Sequence, residues 1–274
     1  MKTKRLLTLL LAGAMTTVML AGCGSNQKAP AASSGAASDA AASDLAKIQD
    51  AGELKIGYTV YEPMNYTDEN GEFTGFDTEF ARAVCEKLGV EPNFIEIVWD
   101  TKTVELESGN IDCIWNGMTI TEELQKNTSI SDPYVNNTQV VVTTTENKDL
   151  YSDFANLKGK TVALEAGSAA QALAEEDENL KDNIVTVSKQ TDALLEVKSG
   201  TAAAAIFDQT MANTILGKGD YADLTVCGVF NEEKYGVAFR KGSDITAAFN
   251  KAMAELKEDG TLESLAEKYG LNLA

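Results

Sequence analysis

The 274-residue chain contains no histidine, which excludes catalytic triads, proton shuttles and zinc sites that depend on an imidazole. Arginine is nearly absent as well, with only Arg5, Arg82 and Arg240, and 42 acidic residues face 23 basic ones. The formal net charge of −19 repels phosphate backbones, so we do not expect a nucleic-acid partner. The hydrophobic content of 44% is nevertheless sufficient for a folded core.

Cysteine is also scarce. Cys85, Cys113 and Cys227 follow Cys23, and no Cys-x-x-Cys pair indicates a metal site. An odd number of cysteines after Cys23 permits at most one disulfide. Because each of the three lies in an apolar run, we expect buried free thiols. The sequence predicts neither a metal nor a cofactor.

The first 22 residues have the features of an export signal. Lys2, Lys4 and Arg5 precede an apolar stretch, and small residues precede Cys23. The sequence Leu20-Ala-Gly-Cys23 resembles a bacterial lipobox, which implies cleavage before Cys23 and a lipid (palmitate) anchor there. An ordinary signal peptide with an incidental cysteine is the alternative. Cleavage leaves 20 basic against 42 acidic residues, a charge of −22, on a protein held outside the cell membrane.

A low-complexity segment separates this signal from the rest of the chain. Residues 24–43 are mostly Ala, Ser and Gly without apolar periodicity, which is typical of a flexible tether. We therefore predict a lipidated cysteine and tether over 23–44 and a folded part that begins near Leu45.

From Leu54 onward, short apolar strands alternate with amphipathic helices. Leu54–Gly57 has the pattern of a strand, and Phe80, Val84 and Leu88 keep helical spacing before Gly89. Such alternation predicts an α/β fold with parallel sheets covered on both faces.

Two segments of the chain share the same sequence pattern. Leu106–Ile114 and Val197–Ile206 each combine the end of a predicted helix, a Ser-Gly pair and a predicted strand. A single echo does not make a solenoid. It favours two lobes of similar construction.

Seven short motifs, in their order along the chain, resemble the amino-acid-type (family 3) extracellular solute-binding proteins of bacterial ABC importers. The motifs are Gly71-Glu-Phe-Thr-Gly-Phe-Asp77, Ser108-Gly-Asn-Ile-Asp112, Gly117-Met-Thr-Ile-Thr-Glu122, Ser131-Asp-Pro-Tyr134, Leu157-Lys-Gly-Lys-Thr-Val162, Tyr235-Gly-Val-Ala-Phe-Arg-Lys-Gly242 and Leu256-Lys-Glu-Asp-Gly-Thr-Leu262. The resemblance covers the chain from about Leu54 to Gly270.

The resemblance implies a two-lobe periplasmic-binding-protein-like fold (type II). Its ligand cleft lies between the lobes, which are joined by two crossover segments expected near Val140–Thr145 and Phe230–Tyr235. We expect residues 45–142 with 234–274 to form lobe 1 and residues 143–233 to form lobe 2. Closure of the two lobes is then a hinge motion.

Asp208 is the first candidate ligand-binding residue. It follows the strand predicted over Ala203–Phe207, at the carboxyl end, where open α/β sheets bind ligands. The resemblance implies that Asp208 binds the ammonium group of an amino acid. Capping of the helix predicted over Gln209–Leu216 is the alternative, and both roles are compatible.

Two loops that lead from a strand into a helix are candidates to bind a ligand carboxylate through exposed amides. They contain Asn116, Gly117 and Thr119 in one lobe, and Ser168 and Ala169 in the other. Thr119 with Glu122 fits a capping box. Helix capping alone is the alternative for both loops.

Two aromatic side chains match positions at which the resembled family sandwiches its ligand. These are Tyr61 and Trp99. Without that match, an aromatic residue beside a strand is typical of the core, and this alternative stays open.

The chain departs from the family pattern at Leu124. The family usually places an arginine there, which grips the ligand carboxylate through a two-pronged ion pair. Loss of one partner of a buried charge pair costs about 2–5 kcal/mol, so the carboxylate is held otherwise or is absent. Lys102, near Trp99, is a candidate replacement, with a surface lysine as the alternative.

Glu165 is a second departure, at a position where the family usually has an apolar or neutral residue. Together with Asp208 it makes the cleft net negative, which favours a basic amino acid or an amine. A Glu165 side chain that faces solvent is the alternative.

The predicted function is therefore that of a monomeric solute-binding lipoprotein, which delivers an amino acid or small amine to an ABC importer permease. A receptor that signals through a membrane partner and a ligand-free structural lipoprotein remain alternatives. A dehydratase-like enzyme on the same fold is another. It needs a general acid, for which Glu165 is the only cleft candidate, and a cation for substrate carboxylates, which is missing.

Overall fold

The computed structural model describes residues 43–274, and the first helix begins at Asp44. The start of the folded part thus agrees with the prediction near Leu45. The predicted signal peptide, the lipidation site at Cys23 and nearly all of the predicted tether lie outside the described residues.

The described residues contain helices and strands in alternation, as predicted. The α-helices are α1 Asp44–Ala51, α2 Phe76–Leu88, α3 Lys102–Ser108, α4 Glu122–Asn127, α5 Lys148–Tyr151, α6 Ala169–Glu176, α7 Gln190–Ser199, α8 Gln209–Ile215, α9 Ile245–Glu258 and α10 Thr261–Tyr269. The strands are β1 Glu53–Tyr58, β2 Tyr66–Thr67, β3 Phe73–Thr74, β4 Glu91–Glu96, β5 Cys113–Ile114, β6 Thr128–Ile130, β7 Val135–Thr144, β8 Val162–Glu165, β9 Ile184–Val187, β10 Ala204–Asp208, β11 Leu224–Tyr235, β12 Ala238–Arg240 and β13 Asn272–Leu273. Four short 3₁₀ helices span Trp99–Thr101, Thr145–Asn147, Phe154–Leu157 and Gly219–Tyr221.

The strands form two main sheets, which define two lobes. The sheet of the first lobe has the order β4-β1-β5-β12-β6, and that of the second lobe has the order β11-β7-β10-β8-β9, with β13 paired to β7. Strands β4, β1 and β5 are parallel to one another, as are β10, β8 and β9. In the first sheet β12 pairs antiparallel with both β5 and β6, and in the second β7 pairs antiparallel with both β10 and β11. Both sheets are therefore mixed, whereas the sequence predicted parallel sheets.

Two passages of the chain connect the lobes. The first lies between the end of β6 at Ile130 and the pairing of β7 with β10 from Gln139 onward, and the second lies between Tyr235 and Ala238. The first passage precedes the segment Val140–Thr145 in which it was expected, because residues 140–142 already pair within the second sheet.

The expected division of the chain at residues 142 and 234 stays a prediction. Both positions fall inside the long strands β7 and β11, which pair with each other over ten residue pairs in the second sheet.

The helices follow the periodicity of their apolar side chains. In α2, Phe76, Phe80 and Val84 are fully buried, because residues four apart lie on one face of a helix. Helix α2 packs against α9 in the first lobe. Helices α9 and α10 are separated at Asp259-Gly260, where Gly260 adopts a left-handed conformation.

The echoed segments are built alike. Helices α3 and α7 each end in a serine followed by a left-handed glycine, Gly109 (φ 78°) and Gly200 (φ 77°), before strands β5 and β10. This confirms the prediction that each lobe contains the same helix–turn–strand unit.

The three cysteines of the described residues are free thiols, as expected. Cys85 and Cys113 are buried in the first lobe, and Cys227 is half-buried in β11. Burial raises the pKa of the Cys85 thiol to about 12.

None of the helices between residues 43 and 274 combines the length and the apolar character that a membrane span requires.

Candidate functional site

A cavity of about 860 Å³ lies between the two lobes. The first lobe lines it with residues around the start of α3 and the loop before α4, and the second lobe with residues around the starts of α6 and α8 and the end of β11. The cleft therefore lies beyond the carboxyl ends of the parallel strands, where α/β sheets bind ligands.

Asp208 lies at the end of β10 and is only 5% exposed. Its Oδ1 accepts hydrogen bonds from Asn137 Nδ2 (2.7 Å), Gln139 Nε2 (2.8 Å) and the Tyr235 hydroxyl (2.8 Å), and its Oδ2 accepts one from Gln190 Nε2. The side chain makes no capping hydrogen bond to α8. Asp208 thus occupies the N-cap position of α8, as the alternative expected, but its carboxylate faces the cleft and does not bond to the helix amides.

Glu165 also faces the cleft, from the end of β8. It is 4% exposed and lines the cavity, so the alternative of a solvent-facing side chain is wrong. Burial raises the pKa of Glu165, the nearby Asp208 carboxylate also raises it and Lys102 lowers it, and together they place it at about 8.

Lys102 is buried and not a surface lysine. Its ammonium lies 4.9 Å from the ring centre of Trp99 and donates to the carbonyls of Trp99 (3.3 Å) and Gly167 (2.7 Å). Since Gly167 belongs to the second lobe, this bond spans the cleft. Burial lowers the pKa of Lys102, and the carboxylate of Glu165 opposes that shift.

The two predicted aromatic residues have different places. Trp99 lines the cavity and is 8% exposed. Tyr61 is buried in the core and is not among the cavity-lining residues. Its hydroxyl is hydrogen-bonded to Thr210 of the second lobe and to Tyr235 (2.7 Å). Tyr61 thus reaches Asp208 only through Tyr235.

The first-lobe loop lines the cavity, and three of its polar groups already have partners. The Gly117 amide donates to Asp77 Oδ2 (2.6 Å), and Asn116 donates to Thr59 Oγ1 (2.6 Å). Thr119 donates to Glu233 Oε1 (2.8 Å). The Gly117 amide is therefore not free for a ligand.

The predicted capping box of Thr119 and Glu122 is wrong. Helix α4 begins two residues later than a Thr119 cap requires, and Thr121 is its N-cap, with Oγ1 accepting from the Leu124 amide (3.2 Å). The sequence places a threonine at both positions, so composition alone does not distinguish them.

The second-lobe loop agrees better with its prediction. Ser168 caps α6, with Oγ accepting from the Gln171 amide (3.1 Å), and Ser168 and Ala169 both line the cavity. The first amides of a helix have no acceptor within it, so the start of α6 presents N–H groups and a positive dipole end at the cleft.

Leu124 lines the cavity and is 7% exposed. It packs in a cluster with Trp99, Leu106 and Met118. An apolar side chain thus occupies the wall of the cleft at the position where an arginine was expected.

Sequence reasoning missed the polar residues that surround Asp208. These are Asn137 and Gln139 on β7, Gln190 at the start of α7, and Glu233 near the end of β11. One signal was present: the four polar residues 136–139 precede the three valines 140–142 within β7.

Residues 54–272 match the family described as bacterial extracellular solute-binding proteins, family 3. The chain belongs to this family.

Similarity to individual proteins agrees with the family assignment. The solute-binding protein is 30% identical over 232 residues to an L-cystine-binding protein of Escherichia coli (strain K12), a match that covers 82% of this chain and 85% of the relative. It resembles the arginine-bound form of truncated ArgBP from T. maritima with a TM-score of 0.69 and 35% identity, covering 77% of this chain and 99% of the other.

An ancestral amino acid-binding protein that is described as a precursor of cyclohexadienyl dehydratase is also similar. Its TM-score is 0.75 and its identity 33%, over 83% of this chain and 99% of the other. The two-lobe architecture of this solute-binding protein is thus that of type II periplasmic binding proteins, as predicted.

Proposed function

We propose that this solute-binding protein is the receptor of a bacterial ABC importer and that its solute is an amino acid or amine with at least one positive charge. The observation that carries the proposal is the position of Asp208, a buried carboxylate at the centre of the cleft whose neighbours include Glu165 and Glu233. A buried carboxylate without a cationic partner favours a ligand that supplies one.

The charge of the cavity wall supports a cationic solute. Nine acidic residues line it: Asp100, Glu122, Glu123, Glu165, Glu175, Glu176, Asp208, Glu232 and Glu233. Among the described lining residues, only Lys102 and Lys126 oppose them. Such a wall concentrates cations and steers them into the cleft.

The solute's ammonium group binds at Asp208, between Trp99 and the second lobe. A carboxylate, where the solute has one, binds at the start of α6, at Ser168 and Ala169, because the Gly117 amide is occupied and Leu124 replaces the arginine. Lys102 supports this end of the site, since two of its three N–H groups have acceptors and one remains.

Binding stabilises the closed arrangement of the lobes. Contacts that span the cleft, such as Lys102 to Gly167 and Tyr61 to Thr210, favour closure together with a solute that touches both lobes. The closed form is then the one that a permease recognises.

We further propose export and lipid anchoring at Cys23, on the basis of the lipobox-like sequence. Binding rather than catalysis is supported by the names of similar proteins: the L-cystine-binding protein and ArgBP are named for binding, and the precursor of cyclohexadienyl dehydratase is itself described as an amino acid-binding protein.

The experiment is calorimetry on the lipid-free chain from Gly24 onward with L-arginine, L-lysine, L-histidine, L-cystine, small quaternary ammonium compounds and L-glutamate. We expect saturable binding of at least one cationic solute and its loss in Asp208→Asn. Glu146→Gln changes an exposed carboxylate outside the cavity lining and is the matched control.

Each alternative outcome has a clear consequence. Preferred binding of L-glutamate contradicts the cationic solute. Binding of an amine without a carboxylate means that Asp208 and its neighbours bind the solute and that the carboxylate site at Ser168 and Ala169 is not needed. No binding across the whole panel contradicts the proposed receptor.

A further inference from the structure

Glu233 is a second carboxylate at the centre of the site. It lies near the end of β11 and lines the cavity. Its Oε1 accepts hydrogen bonds from Thr119 Oγ1 (2.8 Å), Asn137 Nδ2 (2.7 Å) and Gln139 Nε2 (2.9 Å). The side chain is therefore fixed by three donors rather than free at the surface.

Glu233 and Asp208 share their donors. The same nitrogens, Asn137 Nδ2 and Gln139 Nε2, donate to Asp208 Oδ1 at 2.7 and 2.8 Å. A side-chain amide nitrogen carries two hydrogens, one for each carboxylate. Two amides thus hold two carboxylates against each other.

The neighbours of the pair supply no positive charge. Glu165 on β8 faces Asp208, and the other titratable groups around the pair are the hydroxyls of Tyr61 and Tyr235. Among residues 43–274, no lysine or arginine nitrogen lies within 4.0 Å of either carboxylate in an ion pair. Lys102, the nearest cation of the cleft wall, interacts with Glu165.

Two oxygens of this cluster are buried without a donor. They are Glu233 Oε2 and Gln139 Oε1. A proton on the carboxylate pair adds the donor that this group of side chains lacks, because a carboxylic acid donates through its O–H. Burial and the repulsion from Asp208 raise the pKa of Glu233, and burial also raises the pKa of Asp208.

We propose that Asp208 and Glu233 hold one proton between them while the cleft is empty, and that a cationic group of the solute displaces it. In this exchange the O–H bond breaks, its electron pair stays on the carboxylate oxygen and the proton passes to the buffer. The positive charge of the solute takes the place of the proton, so the charge of the site is conserved. The inference rests on the proposed binding of a cationic solute.

The test of the exchange is calorimetry with L-arginine and L-lysine in buffers of different ionisation enthalpy at neutral pH. We expect release of about one proton for each solute bound. Below the upper pKa of the pair, the affinity should rise about tenfold for each unit by which the pH increases. In Glu233→Gln the release disappears and the affinity becomes nearly independent of pH. Glu146→Gln, which changes an exposed carboxylate outside the cavity lining, keeps the release.

Binding without proton release, or equal release in Glu233→Gln, overturns the exchange and leaves the proposed function intact. Absence of binding by both solutes overturns the exchange and counts against the proposed function.

The proton of the empty cleft is measured separately, by ¹³C NMR titration of the Asp and Glu carboxyl groups in solute-free protein. We expect two separated steps for the pair, the upper one near or above neutral pH, and the loss of that upper step in Glu233→Gln. Full ionisation of both carboxyls in mildly acidic solution overturns the shared proton whether or not a solute binds.

Discussion

The two loops that face each other across the cleft have the same sequence pattern and different roles. Each leads from a strand into a helix, through Gly117 in the first lobe and Gly167 in the second. The first loop is tied to its own lobe, because the Gly117 amide donates to the buried Asp77. The second contacts the opposite lobe, because the Gly167 carbonyl accepts from Lys102. At Gly117 the first loop is thus a fixed wall, although Thr119 further along donates to Glu233 of β11, whereas at Gly167 the second loop is part of the closure.

The largest expected effect comes from removing the anchor of the fixed wall. Asp77→Ala takes the acceptor away from the Gly117 amide and from the Tyr134 hydroxyl, which donates to the same oxygen at 3.0 Å. Buried donors without a partner are costly, so we expect the free energy of unfolding to fall by about 2–3 kcal/mol in urea denaturation. Asp149→Ala, at an exposed position of α5, is the control and should change it little. An equal loss in both variants contradicts the role of Asp77.

Substitution of Gly117 and of Gly167 by alanine distinguishes an effect on the free energy of unfolding from an effect on closure of the lobes. A Cβ at Gly167 lies 2.7 Å from Asp100 Cα of the opposite lobe, and a Cβ at Gly117 lies 2.8 Å from Tyr61 Cε1 in its own lobe. Both glycines have positive φ, 71° and 56°, which costs any other residue about 1–2 kcal/mol.

Beyond that shared cost, we expect Gly167→Ala to weaken solute binding at least tenfold by calorimetry. We expect Gly117→Ala to lower the free energy of unfolding of the solute-free protein more than Gly167→Ala does. If the two variants change affinity and stability alike, the division between wall and closure is wrong.

The buried acids beside the two loops make stability depend on pH. Burial raises the pKa of Asp77 from 3.8 to about 7 and that of Glu165 from 4.5 to about 8. The folded state therefore holds more protons than the unfolded state in these windows, and stability present at low pH is lost as pH rises through them.

Between about pH 4 and pH 7, the free energy of unfolding of the parent chain should decrease with pH by up to about 1.4 kcal/mol per pH unit because of Asp77. We expect Asp77→Asn to remove this contribution to the slope. Glu165→Gln should do the same up to about pH 8. Urea denaturation of solute-free protein across this range measures both, with Glu122→Gln as the exposed control. If the free energy of unfolding depends on pH in the same way in all three variants and in the parent chain, Asp77 and Glu165 do not have raised pKa values in the folded state.

The smallest effects concern the helix caps of the two loops. Thr121→Ala and Ser168→Ala each remove an N-cap and should lower stability by about 1 kcal/mol. Amide hydrogen exchange locates the change, since the Leu124 amide loses protection in Thr121→Ala and the Gln171 amide in Ser168→Ala. Thr119→Val should leave the Leu124 amide protected. Faster exchange of the Leu124 amide in Thr119→Val would contradict the assignment of Thr121 as the N-cap and support Thr119 instead.

Much of the fold follows from local pattern. Strand β1 contains the predicted Leu54–Gly57, and α2 ends at Leu88, immediately before Gly89. These features depend on side-chain periodicity and turn chemistry, which act over a few residues.

Other features depend on partners that are distant in the chain. The antiparallel part of the second sheet and the early first crossover depend on pairing between β7 and β11, about ninety residues apart, and that of the first sheet depends on β12, which pairs with β5 and β6. Thr119 is recognisable as a partner of Glu233 rather than a cap only when β11 lies beside the loop. Tyr61 looks like a ligand-facing aromatic in sequence, yet its contacts bury it in the core.

The sequence by itself determined the two-lobe α/β plan, the family, the acidic character of the cleft and the absence of an arginine at Leu124, because these depend on residue type and order. Only the tertiary structure decided that Glu165 and Lys102 are buried and that Asp208 shares its amide donors with Glu233. Burial and mutual distance set the charge of such groups, and both arise only when the two lobes come together.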